Sequence, residues 1–395
     1  MRVAFLTAGG IAPCLTASIG SLIKEYQKTN TKFEFIGYLN GYKGLLKGDY
    51  VILDDFSNID KLNNFGGSLL GNSRVKLTNI DDCIKNNYID KDQIPLEVAG
   101  EELIKNKIDI LHTIGGDDTN TTAADLVEYV ENKKYNITVV GLPKTIDNDV
   151  YPIKQTLGAF TAAEETSKFF KNIVNENTTS SRHLIIHEVM GRNCGWLTAY
   201  SAFLYRRMIK NKMFVPNLFI NENKWDIHAI YIPELNYDLE SESKRLNKVM
   251  DRFDCVNIFL SEGAGLDSII AEMKNNNEDI RYDAFGHVRL DEINPGKWFG
   301  NYFKNKLNAD KVLIQKSGYF ARSSAPCKTD IELIDKSSAL AVEMAIDKKS
   351  GVVGLSESTG NIELINFKEI KGNKPFDTNC EWFEGMIKGV LNKYN

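Results

Sequence analysis

Five segments of the chain follow one plan, in which a short apolar run leads into a turn that contains glycine. The segments are RVAFLTAGGIAPCLTASIGSLIKEY (2–26), IDILHTIGGDDTNTTAADLVEYV (108–130), ITVVGLPKTIDND (137–149), HLIIHEVMGRNCGWLTAYSAFLY (183–205) and CVNIFLSEGAG (255–265). In most of them an amphipathic helical pattern follows the turn. Near-continuous apolar strands that alternate with helices are typical of parallel sheets covered on both faces. The sequence therefore predicts an α/β fold with doubly wound, mainly parallel sheets.

Chemically unusual residues follow these predicted strands at their carboxyl ends. They are Gly10, Asp117, Asp147, Arg192 and Glu262. In open α/β sheets, ligands bind beyond the carboxyl ends of the strands. We therefore expect these turns to build a ligand site.

Composition excludes several classes of function. The chain of 395 residues has 48 basic and 53 acidic side chains and a formal net charge of −5, which gives no electrostatic case for nucleic acid or an anionic membrane. Six scattered cysteines without a C-x-x-C pair, and no apolar run near the ~20 residues of a membrane helix, predict a cytoplasmic protein with free thiols. His183 and His187 lie in a predicted strand, where residues four apart are ~13 Å apart, so we expect no zinc site there.

Two of the turns resemble phosphate sites. Gly9 and Gly10 would let a phosphate approach the backbone amides, or they could simply permit a tight turn. In GGDDT, Asp117 and Asp118 put two negative charges in a similar turn. One aspartate could cap a helix that starts near Thr119, but the second has no such structural reason. Carboxylates beside a phosphate are tolerated when Mg²⁺ lies between them, so the pattern favours a metal–phosphate site.

The stretch GLPKTIDNDV (141–150) adds groups suited to phosphoryl transfer. Its alternative interpretation is an ordinary polar turn. Transfer to an alcohol requires an acceptor for the hydroxyl proton and cations near the moving charge. Asp147 and Lys144 could supply these two parts.

Three motifs in the second half of the chain could bind a phosphorylated polyol. MGRNCGW provides Gly191 and the guanidinium of Arg192, which suits an anion. SEGAG provides Glu262 as an acceptor for sugar hydroxyls, and GYFAR provides Tyr319 and Arg322. Each motif alone is more often structural, but together they favour a sugar-phosphate pocket.

Taken together, these motifs resemble the 6-phosphofructokinase family. TAGGIAP, GGDDT, PKTIDND, EVMGR, SEG and GYFAR occur in the family's order over roughly residues 2–322. The resemblance implies two Rossmann-like lobes with the active site in the cleft. It implies a phosphoryl-donor lobe, 1–160 plus 323–375, and a sugar-phosphate lobe, 161–322 plus 376–395, with an insertion near 275–311.

The resemblance also implies roles for individual residues. Gly10 would contact the donor phosphate, Asp117 would hold Mg²⁺, and Asp147 would take the proton from the sugar C1 hydroxyl. The residues that would bind fructose 6-phosphate are Thr145, Ile146, Asp147, Met190, Gly191, Arg192, Glu262, Tyr319, Phe320, Ala321 and Arg322. The run GHVR (286–289) is a competing sugar-phosphate motif, and we prefer GYFAR because GHVR leads into a loosely patterned passage.

Two positions bear on the identity of the donor. ATP-using members of the family read G-G-D-G and P-G-T-I-D-N-D, and here Asp118 and Lys144 replace the glycines, which is the pattern of pyrophosphate-dependent members. A carboxylate at position 118 would repel the α-phosphate of ATP by roughly 4 kcal/mol at 4 Å and an effective dielectric near 20. Lys144 would bind the phosphoryl group being transferred or released. Alternatively, the two side chains could form an ordinary surface ion pair.

We therefore expect a Mg²⁺-dependent glycolytic transferase that moves phosphate reversibly between pyrophosphate and fructose 6-phosphate. The resemblance implies a homodimer. An ATP-dependent kinase in which Asp118 swings aside is one alternative. A non-catalytic sugar-phosphate-binding regulatory subunit is another, although Asp117, Asp147 and Arg192 are all present.

Overall fold

The computed structural model describes residues 1–275, 279–281 and 293–395. They form two compact units, each with its own sheet. The first unit consists of Met1–Ala162 and Arg322–Lys374, and the second of Ala163–Ala321 and Pro375–Asn395. Within these described ranges, no helix is both long and apolar enough to span a bilayer.

The strands and helices alternate along most of the chain. The strands are β1 Arg2–Thr7, β2 Glu34–Tyr38, β3 Tyr50–Leu53, β4 Ile110–Gly115, β5 Thr138–Pro143, β6 Ile153–Gln155, β7 His183–Val189, β8 Ala229–Tyr231, β9 Cys255–Ser261, β10 Lys311–Lys316, β11 Gly351–Ser356 and β12 Ile362–Ile365. The α-helices are α1 Leu15–Gln27, α2 Tyr42–Lys47, α3 Ile80–Lys85, α4 Pro95–Lys105, α5 Asp117–Asn132, α6 Ala159–Ile173, α7 Trp196–Lys210, α8 Glu222–Trp225, α9 Leu239–Phe253, α10 Leu266–Asn275, α11 Pro295–Lys306, α12 Gly318–Arg322, α13 Lys328–Ile346 and α14 Glu381–Tyr394. Short 3₁₀ turns span Ile59–Asn64, Val174–Thr178, Pro216–Leu218 and Phe367–Glu369.

The described strands of the first unit form an eight-stranded sheet in the order β12-β11-β5-β4-β1-β2-β3, with β6 beside β11. Strands β11, β5, β4, β1 and β2 run parallel, and β3, β6 and β12 are antiparallel to their neighbours. Thr7 pairs with Ile114 and Gly115 pairs with Pro143. This register brings the carboxyl ends of β1, β4 and β5 to one edge of the sheet.

The described strands of the second unit form a parallel four-stranded sheet in the order β10-β7-β9-β8. Val189 pairs with Ser261 and Glu188 pairs with Lys316, so the turns after β7, β9 and β10 also share an edge. His183 and His187 both lie in the buried strand β7, as the sequence predicts.

Burial on both faces explains the near-continuous apolar runs. All residues of β4, β5, β7 and β9 are buried, because helices cover the sheets. Each unit has its own cluster of buried apolar side chains, built around Leu111 and Val139 in the first and around Ile186 and Ile258 in the second. The predicted α/β fold with mainly parallel sheets is thus confirmed.

Local signals place some helix boundaries. The side chain of Asp238 accepts hydrogen bonds from the backbone amides of Glu240 and Ser241 and so caps α9. In the passage 275–311, where the pattern predicts an extended loop, Pro295–Lys306 is a helix capped by Asn294. The competing motif at 286–289 lies outside the described residues.

Candidate active site

The turn after β1 is open on the side where a phosphate would approach. Gly9 has a φ of +81°, which favours glycine, and a Cβ added to Gly10 would have no heavy-atom neighbour within 4 Å. The Gly9 amide donates to the carbonyl of Ser73 at 2.9 Å. The side-chain amide of Asn72 donates to the carbonyls of Gly9 and Gly10, both at 3.3 Å. The turn is therefore held from one side and accessible from the other.

Lys144 lies directly after β5 and is only 4% exposed. Its backbone amide donates to the carbonyl of Gly115, and its ammonium donates to the carbonyl of Gly10 at 2.6 Å. Burial lowers the pKa of Lys144, while the carboxylates of Asp149 and Asp117 oppose this shift. The structure therefore places a buried cation beside the predicted donor-phosphate turn.

The two aspartates of GGDDT differ in their surroundings. Helix α5 begins at Asp117 and its N-cap is Gly116, so neither aspartate is the cap residue and the predicted start near Thr119 is too late. Both carboxylates lie in the first helical turn, where the helix dipole favours negative charge. The side chain of Asp118 is 62% exposed and forms an ion pair with Lys76 at 2.7 Å. The alternative of a surface ion pair with Lys144 is therefore wrong, because Asp118 pairs with Lys76 and Lys144 is buried.

Asp117 and Asp149 are neighbouring carboxylates whose charges interact. Burial, reinforced by the charge of Asp118, raises the pKa of Asp117. Burial and the charge of Asp117 raise the pKa of Asp149. Gly372 packs closely against Asp117, since an added Cβ would lie 1.8 Å from its Oδ2. A dication would relieve the repulsion between the two carboxylates, so these residues fit Mg²⁺.

This donor set is small for a metal held by protein alone. Within the described ranges, no group of three or more histidine, cysteine, aspartate and glutamate side chains is arranged to hold a metal ion. Mg²⁺ usually takes one or two carboxylates and completes its shell with phosphate oxygens and water. The arrangement therefore suits a metal that binds together with a phosphate substrate.

The segment from Thr145 to Asp149 is braced by the chain that returns beside it. Thr145, Asp147 and Asp149 are half-buried and alternate with the buried Ile146 and Asn148. The Thr156 hydroxyl donates to the carbonyl of Thr145 at 2.8 Å, and its amide donates to the Asn148 side chain at 2.9 Å. Asp147 is thus held in a fixed loop on the partly exposed face.

In the second unit, hydrogen bonds join the turn after β7 to the turn after β9. The Gly191 amide donates to the Glu262 carboxylate at 3.2 Å, and the Ser261 hydroxyl donates to the Gly191 carbonyl at 2.5 Å. Burial raises the pKa of Glu262, and the charge of Glu188 adds to this, whereas Arg192 opposes it. A cavity of about 410 Å³ lies within this unit, and its lining includes Arg192 and several polar groups.

The GYFAR motif forms the short helix α12 next to Met190. A Cβ added to Gly318 would lie 2.7 Å from the Met190 sulfur. Tyr319 is 80% exposed and Phe320 is half exposed, whereas Ala321 is buried. The helix crosses the boundary between the units, because Ala321 belongs to the second and Arg322 to the first.

Sequence reasoning missed three groups near these residues. Lys76 pairs with Asp118, Gly372 packs on Asp117, and Lys316 forms a 2.7 Å ion pair with the buried Glu188. Glu188 and Lys316 lie near the ends of apolar runs and could have been suspected once β7 and β10 were paired. No local spacing rule indicates Lys76 or Gly372, since each meets its partner through the fold.

The chain is similar to known proteins along most of its length. The family model described as phosphofructokinase matches residues 2–345. The pyrophosphate–fructose 6-phosphate 1-phosphotransferase of Methylotuvimicrobium alcaliphilum is 52% identical over 392 residues, which cover 98% of this chain and 96% of that protein. The enzyme of the same name from Mastigamoeba balamuthi is 48% identical, over 98% of this chain and 95% of that protein.

The fold is also found among solved structures. A pyrophosphate-dependent phosphofructokinase from Marinobacter aquaeolei matches with a TM-score of 0.73 and 21% identity, covering 100% of this chain and 91% of that one. An ATP-dependent 6-phosphofructokinase of Borreliella burgdorferi is more distant in sequence, at 25% identity over 97% of this chain and 79% of that protein. The match over most of the chain and the near half identity to full-length relatives establish that this chain belongs to the phosphofructokinase family.

Proposed function

We propose that this chain catalyses the reversible transfer of a phosphoryl group from pyrophosphate to the C1 hydroxyl of fructose 6-phosphate, giving fructose 1,6-bisphosphate and phosphate in glycolysis and gluconeogenesis. The relatives that are about half identical along nearly the whole chain carry the name of this activity. The observation that carries the proposal is the buried Lys144 at the Gly10 turn, together with Asp118 beside Asp117.

The donor end of the reaction belongs to the first unit. Pyrophosphate would lie on the open side of Gly10, and Lys144 would place its positive charge against the phosphoryl group that moves. Asp118 would occupy the space and oppose the charge of a nucleotide α-phosphate. A donor that is one phosphate shorter and lacks a nucleoside avoids both penalties.

Asp117, with Asp149 beside it, would hold the Mg²⁺ ion. When bound, the ion would neutralise charge on the pyrophosphate oxygens, which phosphoryl transfer generally requires. The contribution of the protein is the carboxylate pair itself, in which Asp117 is held by α5 and by the close packing of Gly372. Because protons compete with the metal for carboxylates of raised pKa, Mg²⁺ affinity should fall on mild acidification.

Asp147 would act as the general base. It would accept the proton of the C1 hydroxyl as that oxygen attacks the terminal phosphorus, while the bridging P–O bond of pyrophosphate breaks and phosphate leaves. In the reverse direction Asp147 returns the proton to the sugar oxygen. Thr145 and Ile146, which precede it in the braced loop, would contact the sugar.

The sugar end of the reaction belongs mainly to the second unit. Arg192 would bind the 6-phosphate, Glu262 would accept hydrogen bonds from sugar hydroxyls, and Met190 with Gly191 would line the site. Tyr319 and Phe320 would complete it from α12, with Ala321 and Arg322 following in the same helix. Of these residues, Arg192 alone is among those that line the cavity described above.

The family resemblance further suggests a homodimer that acts in the cytoplasm. Size-exclusion chromatography with light scattering would test the dimer, which predicts about twice the chain mass of 44.5 kDa.

A donor-comparison assay tests the proposed activity directly. Purified protein with fructose 6-phosphate and Mg²⁺ should turn over with pyrophosphate and hardly at all with ATP. It should also release pyrophosphate from fructose 1,6-bisphosphate and phosphate. Equal turnover with ATP would contradict the role given to Asp118, and absence of turnover with both donors would contradict the enzyme.

A further inference from the structure

The Asp118 carboxylate is restrained by one side chain within the described part of the protein. It sits at the second position of α5 with 62% of its side chain exposed, and its ion pair with Lys76 measures 2.7 Å. An exposed aspartate on a first helical turn can otherwise change rotamer at little cost. Donor exclusion by Asp118 therefore depends on what keeps its carboxylate in place.

Lys144 does not provide this restraint. Its ammonium donates to the Gly10 carbonyl at 2.6 Å, and the side chain is only 4% exposed. Lys144 therefore serves the donor turn, and the cation that meets Asp118 comes from another segment.

Lys76 lies in an irregular segment that is anchored on both sides. Its neighbours Val75 and Leu77 are both buried in the core of the first unit. The Lys76 carbonyl accepts a hydrogen bond from the Asn79 amide at 3.2 Å, at the start of α3. The lysine side chain itself is only 27% exposed.

The same segment is tied to the donor turn. The Ser73 carbonyl accepts from the Gly9 amide at 2.9 Å, and Asn72 donates to the carbonyls of Gly9 and Gly10. Lys76 therefore has a fixed position relative to the glycine turn, and so does the carboxylate that it holds.

From this geometry we infer that Lys76 is a positioning residue for donor specificity: it fixes the Asp118 carboxylate where that carboxylate excludes a nucleoside triphosphate. The inference rests on the proposed function, in which Asp118 rejects ATP. Without Lys76, Asp118 can rotate toward solvent and its exclusion of the larger donor weakens.

The readout is the ratio of kcat/KM with ATP to kcat/KM with pyrophosphate. Loss of a cation weakens the attraction for both anionic donors, so the ratio isolates the effect on selection. We expect Lys76→Met to raise the ratio about threefold to fivefold, the upper end of the effect of one exposed ion pair. Lys76→Arg keeps the pair and should leave the ratio within about twofold.

A second genetic background separates positioning from direct donor binding. In Asp118→Gly the carboxylate is absent, so adding Lys76→Met should leave the ratio unchanged. A matched control is Lys24→Met, because Lys24 is also 27% exposed and also pairs with an exposed aspartate, Asp60, in the same unit. Lys24→Met should leave the ratio unchanged, and thermal unfolding should confirm that each variant is folded.

Two results would overturn the inference while leaving the proposed function intact. One is a Lys76→Met enzyme that retains the wild-type ratio. The other is an equal rise of the ratio in both backgrounds, which would mean that Lys76 acts on the donor and not through Asp118. Failure of the wild-type protein to use pyrophosphate would instead overturn the proposed function, and this inference with it.

Discussion

The two units hold their candidate residues in different ways. In the first unit two charged groups are enclosed, although Asp118 is not: Lys144 is 4% exposed and donates a hydrogen bond to Gly10, and Asp117 is packed against Gly372. In the second unit, Glu262 and Gly191 hold each other, but Tyr319 is 80% exposed on a helix of five residues. Protein contacts therefore position Lys144 and Asp117, whereas the side chain of Tyr319 is open to solvent.

This difference indicates where each property of the enzyme should reside. Buried charges at fixed positions act on developing charge without reorganisation, so the first unit should control the chemical step and the choice of donor. Exposed side chains contribute modest binding energy, so residues such as Tyr319 should tune sugar affinity. Substitutions in the first unit should therefore affect kcat, and those in α12 should affect KM for fructose 6-phosphate.

The largest expected effect is that of Asp147→Ala. Loss of the general base should lower kcat about 10²- to 10⁴-fold, with KM values changed only a few-fold. Steady-state kinetics in both directions would measure this. Asp60→Ala removes an exposed aspartate of the same unit and should have no effect on kcat. A near-normal kcat for Asp147→Ala would show that another group takes the proton.

Gly372→Ala tests whether the enclosure of Asp117 matters. The new Cβ would lie 1.8 Å from the Asp117 Oδ2, so the carboxylate must move. We expect at least a roughly tenfold loss of kcat/KM and a higher Mg²⁺ requirement, measured by titrating the metal. Gly385→Ala, in a helix of the second unit with open space at the Cβ, is the matched control and should add about 0.5–1 kcal/mol of stability. Unchanged activity of Gly372→Ala would argue against Asp117 as the metal ligand.

The two units should also differ in how strongly acid lowers their free energy of unfolding. Burial lowers the pKa of His187 to about 3 and that of His228 to about 4, both in the second unit, and that of His112 in the first unit to about 3. The unfolded chain binds these protons below its pKa of about 6.5 and the folded chain does not, so the free energy of unfolding falls as the pH drops below that value. Each of these histidines contributes up to about 1.4 kcal/mol per pH unit. Burial also lowers the pKa of His183 in the second unit, so the histidines of the second unit should lose more stability in acid than that of the first.

Tryptophan fluorescence reports the acid unfolding of the second unit selectively, because all four tryptophans lie in that unit. The fluorescence transition should occur at higher pH than the main loss of far-ultraviolet circular dichroism. His187→Phe should shift the fluorescence transition to lower pH. The His187 ring stacks on Phe170 at 5.4 Å, and among the described residues neither ring nitrogen has a hydrogen-bond partner, so phenylalanine should fit there. If the fluorescence and circular dichroism transitions coincide in the wild type, and if His187→Phe leaves both unchanged, the two units do not differ in their stability to acid.

The smallest expected effect is that of Tyr319→Phe. Removal of one exposed hydroxyl should raise KM for fructose 6-phosphate about twofold to tenfold, which corresponds to one hydrogen bond, and leave kcat and KM for pyrophosphate unchanged. Tyr151→Phe, an exposed tyrosine of the first unit, is the control. If the KM for pyrophosphate changed instead, Tyr319 would act on the phosphoryl donor and not on the sugar phosphate.

Part of the parallel core could be predicted from sequence, because burial on both faces leaves a continuous apolar run, but the parallel strands β2, β10 and β11 escaped prediction. Strands β4, β5, β7 and β9 carry such runs and were predicted within a few residues. The antiparallel β3 escaped prediction, because two of its four residues are exposed and it lacks that signal.

For the site, the turns that follow the strands could be predicted, but the pairings across the fold could not. The sequence offers an ion pair between Asp118 and Lys144 only as an alternative, and the partner that Asp118 has in the structure is Lys76, which lies 42 positions earlier in an irregular segment. The close approach of Gly372 to Asp117 spans an even longer stretch of chain. Such contacts depend on three-dimensional packing, on which local spacing carries no information.

Donor choice should reside at the buried Lys144 and the exposed Asp118 of the first unit. Measurement of kcat/KM with pyrophosphate and with ATP for the wild type, Asp118→Gly and Lys144→Gly tests this. We expect the wild type to use pyrophosphate, Asp118→Gly to gain weak activity with ATP, and Lys144→Gly to lose much of its activity with pyrophosphate. A wild type that uses both donors equally, or variants that keep its donor preference, would contradict this assignment.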